Sequence, residues 1–245
     1  MDRACAAARA EIDALLWDRA VRARAAELAA VSVLRGARDS AALEGADVPL
    51  DTLRAGLDDS PLGRAVANAL AVTSAVPQQA DTWQRAPLQV LAHLHGLAAR
   101  GFAPDDQLGR PRSDDVVVDP LHAGPPSPAA EVPLRLAGLA DLLVAPTAAP
   151  ALVVAAVAHG ELLALRPFHW GSGLVARASV RLVLASRGVD PDLLSIPEAG
   201  MESLGRTAYV AALRDYLSGE PAGVARWIEW NCAAVGYGAD AARRG

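Results

Sequence analysis

The stretch Arg166-Pro167-Phe168-His169-Trp170-Gly171-Ser172-Gly173 joins a proline and a Gly-x-Gly pair to a helical pattern that starts at once with Leu174. The chemistry open to such a stretch is anion binding. Glycines let the backbone curl until successive N–H groups converge, and a helix N-terminus adds about half a positive charge. Arg177 lies one turn into that helix, where a guanidinium can reach the same anion with two parallel N–H groups. A Gly-x-Gly pair also suits a tight corner between packed helices, and both readings stand at this level. His169, inside the turn, is the nearest candidate for a general base, its plainer reading being a partly exposed turn residue. His159, two helical turns before Arg166 on the same face, reads as a packed helix histidine.

The elements that must position this turn are helical. Apolar residues make up 52% of the 245-residue chain, aromatics only 4%, and Ala and Leu favour helix over strand. From Glu11 to Leu34 apolar residues recur at helical spacing, and Gly36 is expected to interrupt the run. Ser40-Ala41-Ala42-Leu43-Glu44-Gly45 reads as one helical turn stopped by a glycine. Ser60 before Pro61 caps the start of another helix, and a further one covers about 83–99. Residues 101–132 are rich in Pro, Gly and Asp, with Val116-Val117-Val118 as their strand-like piece, and predict a long loop with a short β-hairpin. Helical patterns resume at 133 and continue to 235, with Trp227 and Trp230 as core residues. No internal repeat or βα alternation is visible, so the expected fold is an all-α bundle with one irregular excursion.

Composition removes several function classes. A net charge of −5 and a pI near 5.5 argue against nucleic acid, whose binding draws on a basic surface. All the basic side chains are arginine, as a GC-rich genome produces. Cys5 and Cys232 stand near opposite ends with no metal-ligand spacing and read as reduced structural thiols. The N-terminal stretch is charged throughout, and the longest apolar run is far short of the roughly 20 residues that span a bilayer. A soluble, cytoplasmic protein with no membrane partner is the expectation.

The span from Arg166 to Arg177 resembles the core motif of the Fic (Fido) family, His-Pro-Phe-x-Asp/Glu-Gly-Asn-Gly-Arg-x-x-Arg. Pro167, Phe168, Gly171, Gly173 and Arg177 fall in register. The stretch 109–143 is similar to the family's flap hairpin and Pro-Pro turn, and 208–230 to its closing helices. Ser40, Glu44 and Gly45 match its inhibitory pattern Ser/Thr-x-x-x-Glu-Gly/Asn. The resemblance implies a single Fic-like domain over 1–245, a Fic-type helical bundle with a short β-hairpin flap. Within it, 1–60 would form the inhibitory-type helical segment, 101–132 the flap and 133–235 the core helices. It also implies transfer of AMP from ATP to a protein hydroxyl, with the motif His as base and the carboxylate holding Mg²⁺. The Gly-Asn-Gly turn and the two arginines would bind phosphates, and Glu44 would pair with Arg177.

Several of those positions are replaced here. Arg166 stands where the base should be, and a guanidinium accepts no proton at neutral pH. Trp170 stands at the metal-ligand position and offers an N–H donor but no oxygen, so no metal site is expected. Ser172 shortens the turn's amide, and Leu174 removes the first arginine. Proper base catalysis contributes roughly 10²–10⁴ in rate, so ordinary AMP transfer is not expected. The first reading is a catalytically degenerate Fic-fold protein that keeps an anion or nucleotide turn at Gly171, Ser172, Gly173 and Arg177. It would act in binding or regulation, using a nucleotide without Mg²⁺ and a protein partner held by the 109–128 loop. The alternatives are a transferase of altered chemistry with His169 as base, and a structural homo-oligomer with a disused site.

Overall fold

The computed structural model describes residues 1–244, and twelve α-helices carry the described chain. The apolar run after Glu11 is divided among α1 (Asp2–Trp17), α2 (Arg19–Ala23) and α3 (Ala25–Leu43). The break falls at Asp18, whose backbone is extended and whose carboxylate accepts the N–H groups of Ala20 and Val21 at 2.7 and 3.3 Å. That is the behaviour of a helix N-cap, and it restarts the helix at a new angle. Gly36 does not interrupt α3. It lies inside the helix, at the place where a Cβ would strike the Arg181 guanidinium.

Ser40 to Leu43 form the last turn of this long helix rather than an isolated one. Gly45, at φ +92°, donates to the Ala42 carbonyl, and Ala46 donates to the Ala41 carbonyl, both at 2.9 Å. This double closure needs a left-handed residue past the helix end, which glycine supplies at little cost.

Next come α4 (Leu50–Ala55), α5 (Pro61–Trp83) and α6 (Pro87–Ala98), and after the 101–132 excursion α7 (Val132–Val144). Two central helices follow, α8 (Ala151–Leu165) and α9 (Ser172–Ser186). Helix α8 is apolar all round and buried on every face, as expected of a helix at the middle of a bundle. It packs on α9, α11 (Arg206–Leu217) and α12 (Pro221–Arg244), while α5 and α3 cover α9. The short α10 (Pro197–Leu204) is absent from the sequence reading, and it wedges between α3 and α12. Trp227 is fully buried, with Trp230 stacked nearby. No described helix is long and apolar enough to cross a membrane.

The expected β-hairpin does not form among the described residues of 101–132. The segment has two short 3₁₀ turns and no strand. It pairs with its neighbour instead of with itself. Arg112 N–H donates to the Pro167 carbonyl and Val118 N–H to the His169 carbonyl, both at 2.8 Å. The buried Arg112 guanidinium donates to the Asp114, Ser127, Leu165 and Arg166 carbonyls, closing off the C-terminal end of α8. Two of the loop's backbone N–H groups, those of Arg112 and Val118, are thus taken by the turn rather than by a second strand.

Candidate functional site

The site is the turn between α8 and α9. Arg166 closes α8 in a left-handed conformation, φ +42°, with its N–H on the Leu162 carbonyl. Its side chain is buried and turned toward the 101–132 loop. Nη1 donates to Asp119 Oδ2 at 2.6 Å and to the Gly124 carbonyl at 2.8 Å, while Nε and Nη2 have no partner. Burial pushes the Arg166 pKa down, and the Asp119 carboxylate opposes that shift. Asp119 also accepts the N–H groups of Leu121 and Ala123, so one carboxylate fixes both the loop and the arginine.

Phe168 points inward and stacks face to face on His95 at 3.9 Å. His169 points the other way, its Nε2 lying 3.1 Å from Asp114 Oδ1 on the loop. Trp170 stacks on Phe102 at 4.3 Å and 2°. Gly171, at φ +75°, begins α9, and a Cβ there would press within 3.1 Å of Ala98 Cβ. The Ser172 hydroxyl is used within the turn, accepting from Phe168 N–H and donating to the Phe168 carbonyl. Leu174 is buried in the core.

At Gly173 a Cβ would collide with Glu44 Oε1, so the glycine makes room for a carboxylate. The first-turn N–H groups of α9 have no intrahelical acceptors, and the Glu44 carboxylate sits beside Gly173 in that turn. The same carboxylate accepts from Arg177 Nη2 at 2.6 Å. Arg177 is fully buried, with Nε on the Ser40 hydroxyl at 2.8 Å and Nη2 also on the Ser40 carbonyl at 3.1 Å. Nη1 has no partner. Burial works against the Arg177 charge, but Glu44 and the Tyr209 hydroxyl outweigh it and raise the pKa.

Behind Arg177 runs a buried polar relay. Asn231 donates its amide N–H to the Trp227 carbonyl, so its oxygen accepts from His159 Nδ1 at 2.8 Å. His159 Nε2 is therefore bare and accepts from the Tyr209 hydroxyl at 2.6 Å. Burial pushes the His159 pKa down to about 3 and the Tyr209 pKa up to about 12. His159 is thus a neutral, packed helix histidine.

The cavity over the turn is small, about 10 Å³, bounded by Glu44, Asp119, Arg166, Ser172, Gly173 and Leu213. That is room for about one water. His169 and Trp170 lie outside its walls. The fold brings Ser40, Glu44, Gly173 and Arg177 together, and sets His169 apart on the loop. Arg112, Asp119 and His95 escaped the sequence reading, and Tyr209 entered it only as a spacing match in the closing helices. Each acts through contacts distant in the chain.

Mg²⁺ does not fit these residues. Trp170 supplies no oxygen and is stacked away, and both carboxylates at the cavity, Glu44 and Asp119, are held by arginines. No cluster of three or more His, Cys, Asp or Glu able to hold a metal occurs among the described residues.

No protein-family model and no curated protein matches the chain. Solved structures do. A Fic family protein from Desulfovibrio desulfuricans G20 superposes with a TM-score of 0.78 over 98% of this chain and 74% of its own, at 21% identity. The fold is that of the Fic proteins. Fic-1 from C. elegans superposes with a TM-score of 0.71 over 99% of this chain and 70% of its own, at 18% identity. At such identities the likeness carries the fold alone. Within the Fic fold, α8, the 166–173 turn and α9 carry the stretch that resembles the core motif, and α3 carries Ser40 and Glu44.

Proposed function

We propose that this chain is a catalytically degenerate Fic-fold protein that binds an anionic, phosphate-bearing group at the α9 turn and works in binding or regulation. The observation that carries the reading is the state of Arg166. The residue at the base position is a buried cation locked onto Asp119 and the Gly124 carbonyl, and it cannot take a hydroxyl proton. The anion reading rests on the α9 N-terminus, on Arg177 and on the unpartnered N–H groups of Arg166 and Arg177. Glu44 supplies the negative charge in the closed state, and a phosphate would take its place on the same donors. The exposed Val116 and Val118 on the loop are where a protein partner would lie.

Purified protein incubated with labelled ATP, UTP or CDP-choline and Mg²⁺ or Mn²⁺ is expected to label neither itself nor lysate proteins. Labelling would overturn the reading. A ligand-shift melt tests the anion half of the proposal. ATP or pyrophosphate without metal should stabilise a Glu44→Gly variant more than the unchanged protein. If neither protein responds, the site is disused and a structural role replaces binding. A transferase with His169 as base has less in its favour, because that ring is engaged by Asp114 outside the cavity. Activity lost in His169→Ala would revive it.

A further inference from the structure

Cys5 and Cys232 are separated by nearly the whole chain, yet their sulfurs lie 3.3 Å apart in the interior. The cause is the packing of α1 on α12. Ala8 on one helix faces Gly236 on the other, where a Cβ would stand only 3.5 Å from Ala8 Cα. Small residues let the two backbones approach, and the thiols on the same faces are carried into contact. Closing the gap to a bond of about 2.05 Å asks for small side-chain rotations rather than a rearrangement of helices.

Cys232 also lines a surface groove of about 490 Å³ between the two helices, whose floor is made by Ala4, Ala7, Ala8, Ala233 and Gly236. Both sulfurs are covered, Cys5 at 6% and Cys232 at 1% exposure, so a small disulfide reaches them when α1 opens from α12 along this groove. Burial raises the Cys232 pKa, as does its contact with Cys5, so exchange is slow in neutral buffer.

We propose that Cys5 and Cys232 are a dithiol pair that a low-molecular-weight disulfide such as oxidised glutathione converts to an intramolecular disulfide, joining α1 to α12. In the first step the thiolate of one of the two cysteines attacks one glutathione sulfur. The glutathione S–S bond breaks, a mixed disulfide forms at that cysteine, and one glutathione thiolate leaves and is protonated. In the second step the other thiolate attacks the protein sulfur of the mixed disulfide, 3.3 Å away before reaction, forming the protein disulfide and expelling the second glutathione. Two protein thiols are oxidised and one glutathione disulfide is reduced to two thiols, so electrons and protons balance. The cross-link closes a loop of nearly the full chain, the case in which constraining the unfolded state stabilises most.

The test is oxidised glutathione in mildly alkaline buffer, applied to the folded chain and to the urea-unfolded chain as control. The expected product is a monomer that has lost both titratable thiols and the mass of two hydrogens, migrates faster on a non-reducing denaturing gel and reverts with dithiothreitol. Its Tm should rise by roughly 5–15 °C. Neither Cys5→Ser nor Cys232→Ser should give the fast-migrating product, and a fast-migrating band from either variant would overturn the proposal. Thiols that persist in the folded chain when the unfolded control is oxidised would overturn the proposal. So would cross-linked dimers as the only product, or a mixed disulfide that the unchanged protein never resolves.

Discussion

Arg177 and Arg181 lie one turn apart on α9, both buried, both facing α3, and they are treated differently. Arg181 places Nε and Nη2 on Glu198, and Nη1 and Nη2 on the Ser32 hydroxyl and carbonyl, at 2.7–3.2 Å. Its guanidinium is closed on every nitrogen. Arg177 is held by Ser40 and Glu44 but leaves Nη1 open, and Arg166 across the turn leaves two nitrogens open. A buried donor without a partner costs about 1–3 kcal/mol, and native interiors hold few of them. Here they gather beside a helix N-terminus, with Arg166 and Glu44 at the wall of the small cavity and Arg177 fully buried outside it. Arg181 is a structural weld between α3, α9 and α10, whereas the Arg177 end keeps a surplus of donors, as the proposed anion site requires.

Acid should expose the Arg177 end first. His159 behind it and His95 under Phe168 have pKa values pushed by burial to about 3 and about 4. An unfolded histidine near 6.5 takes a proton that the folded one refuses. Stability is therefore full above pH 6.5 and falls as pH drops toward 4. Each histidine contributes up to about 1.4 kcal/mol per pH unit, so the sum reaches several kcal/mol. Thermal melts across that window should show the fall, and His159→Gln should make it shallower, leaving the His95 share.

Glu198→Ala strands the Arg181 charge with both pair members only 2% exposed, and should cost about 3–5 kcal/mol in urea unfolding. Glu44→Ala should cost less, about 2 kcal/mol, because that carboxylate is partly open to solvent and Ser40 still holds Arg177. It should also leave AMP transfer absent, since inhibition is not what limits this site. Equal losses in the two variants would erase the distinction drawn between the arginines.

The smallest effect is expected at Arg166→Met. The ion pair with Asp119 goes, but two unpartnered buried N–H groups go with it, and Asp119 keeps the Leu121 and Ala123 N–H groups. The change should stay within about 1 kcal/mol. A loss as large as that of Glu198→Ala would mean that Arg166 is itself a weld.

Much of this molecule was legible in its residues. Ala and Leu at helical spacing, Ser60-Pro61 and Gly45 marked helices and their ends, because capping and periodicity are local effects. The resemblance of 166–177 located the turn, and the chemistry of Arg and Trp supplies the expectation that it lacks a base and a metal ligand. Val116 to Val118 carry strand propensity but form no hairpin: Val118 N–H goes to the His169 carbonyl of a turn fifty residues away, and Val116 N–H to the nearby Asp114 carboxylate. Gly36 was misread for a similar reason. Its missing side chain makes room for Arg181 rather than ending a helix.

The sequence by itself determined the helical class and the corner with Arg166 and Trp170 in it, because those follow from side-chain chemistry and short-range spacing. Only the tertiary structure decided that Glu44 lies over Gly173, that Arg166 is bound to Asp119, that His169 faces away, and that Cys5 touches Cys232. Those facts depend on how helices far apart in the chain approach one another, and the approach is set by small residues and buried charges whose partners no local pattern names.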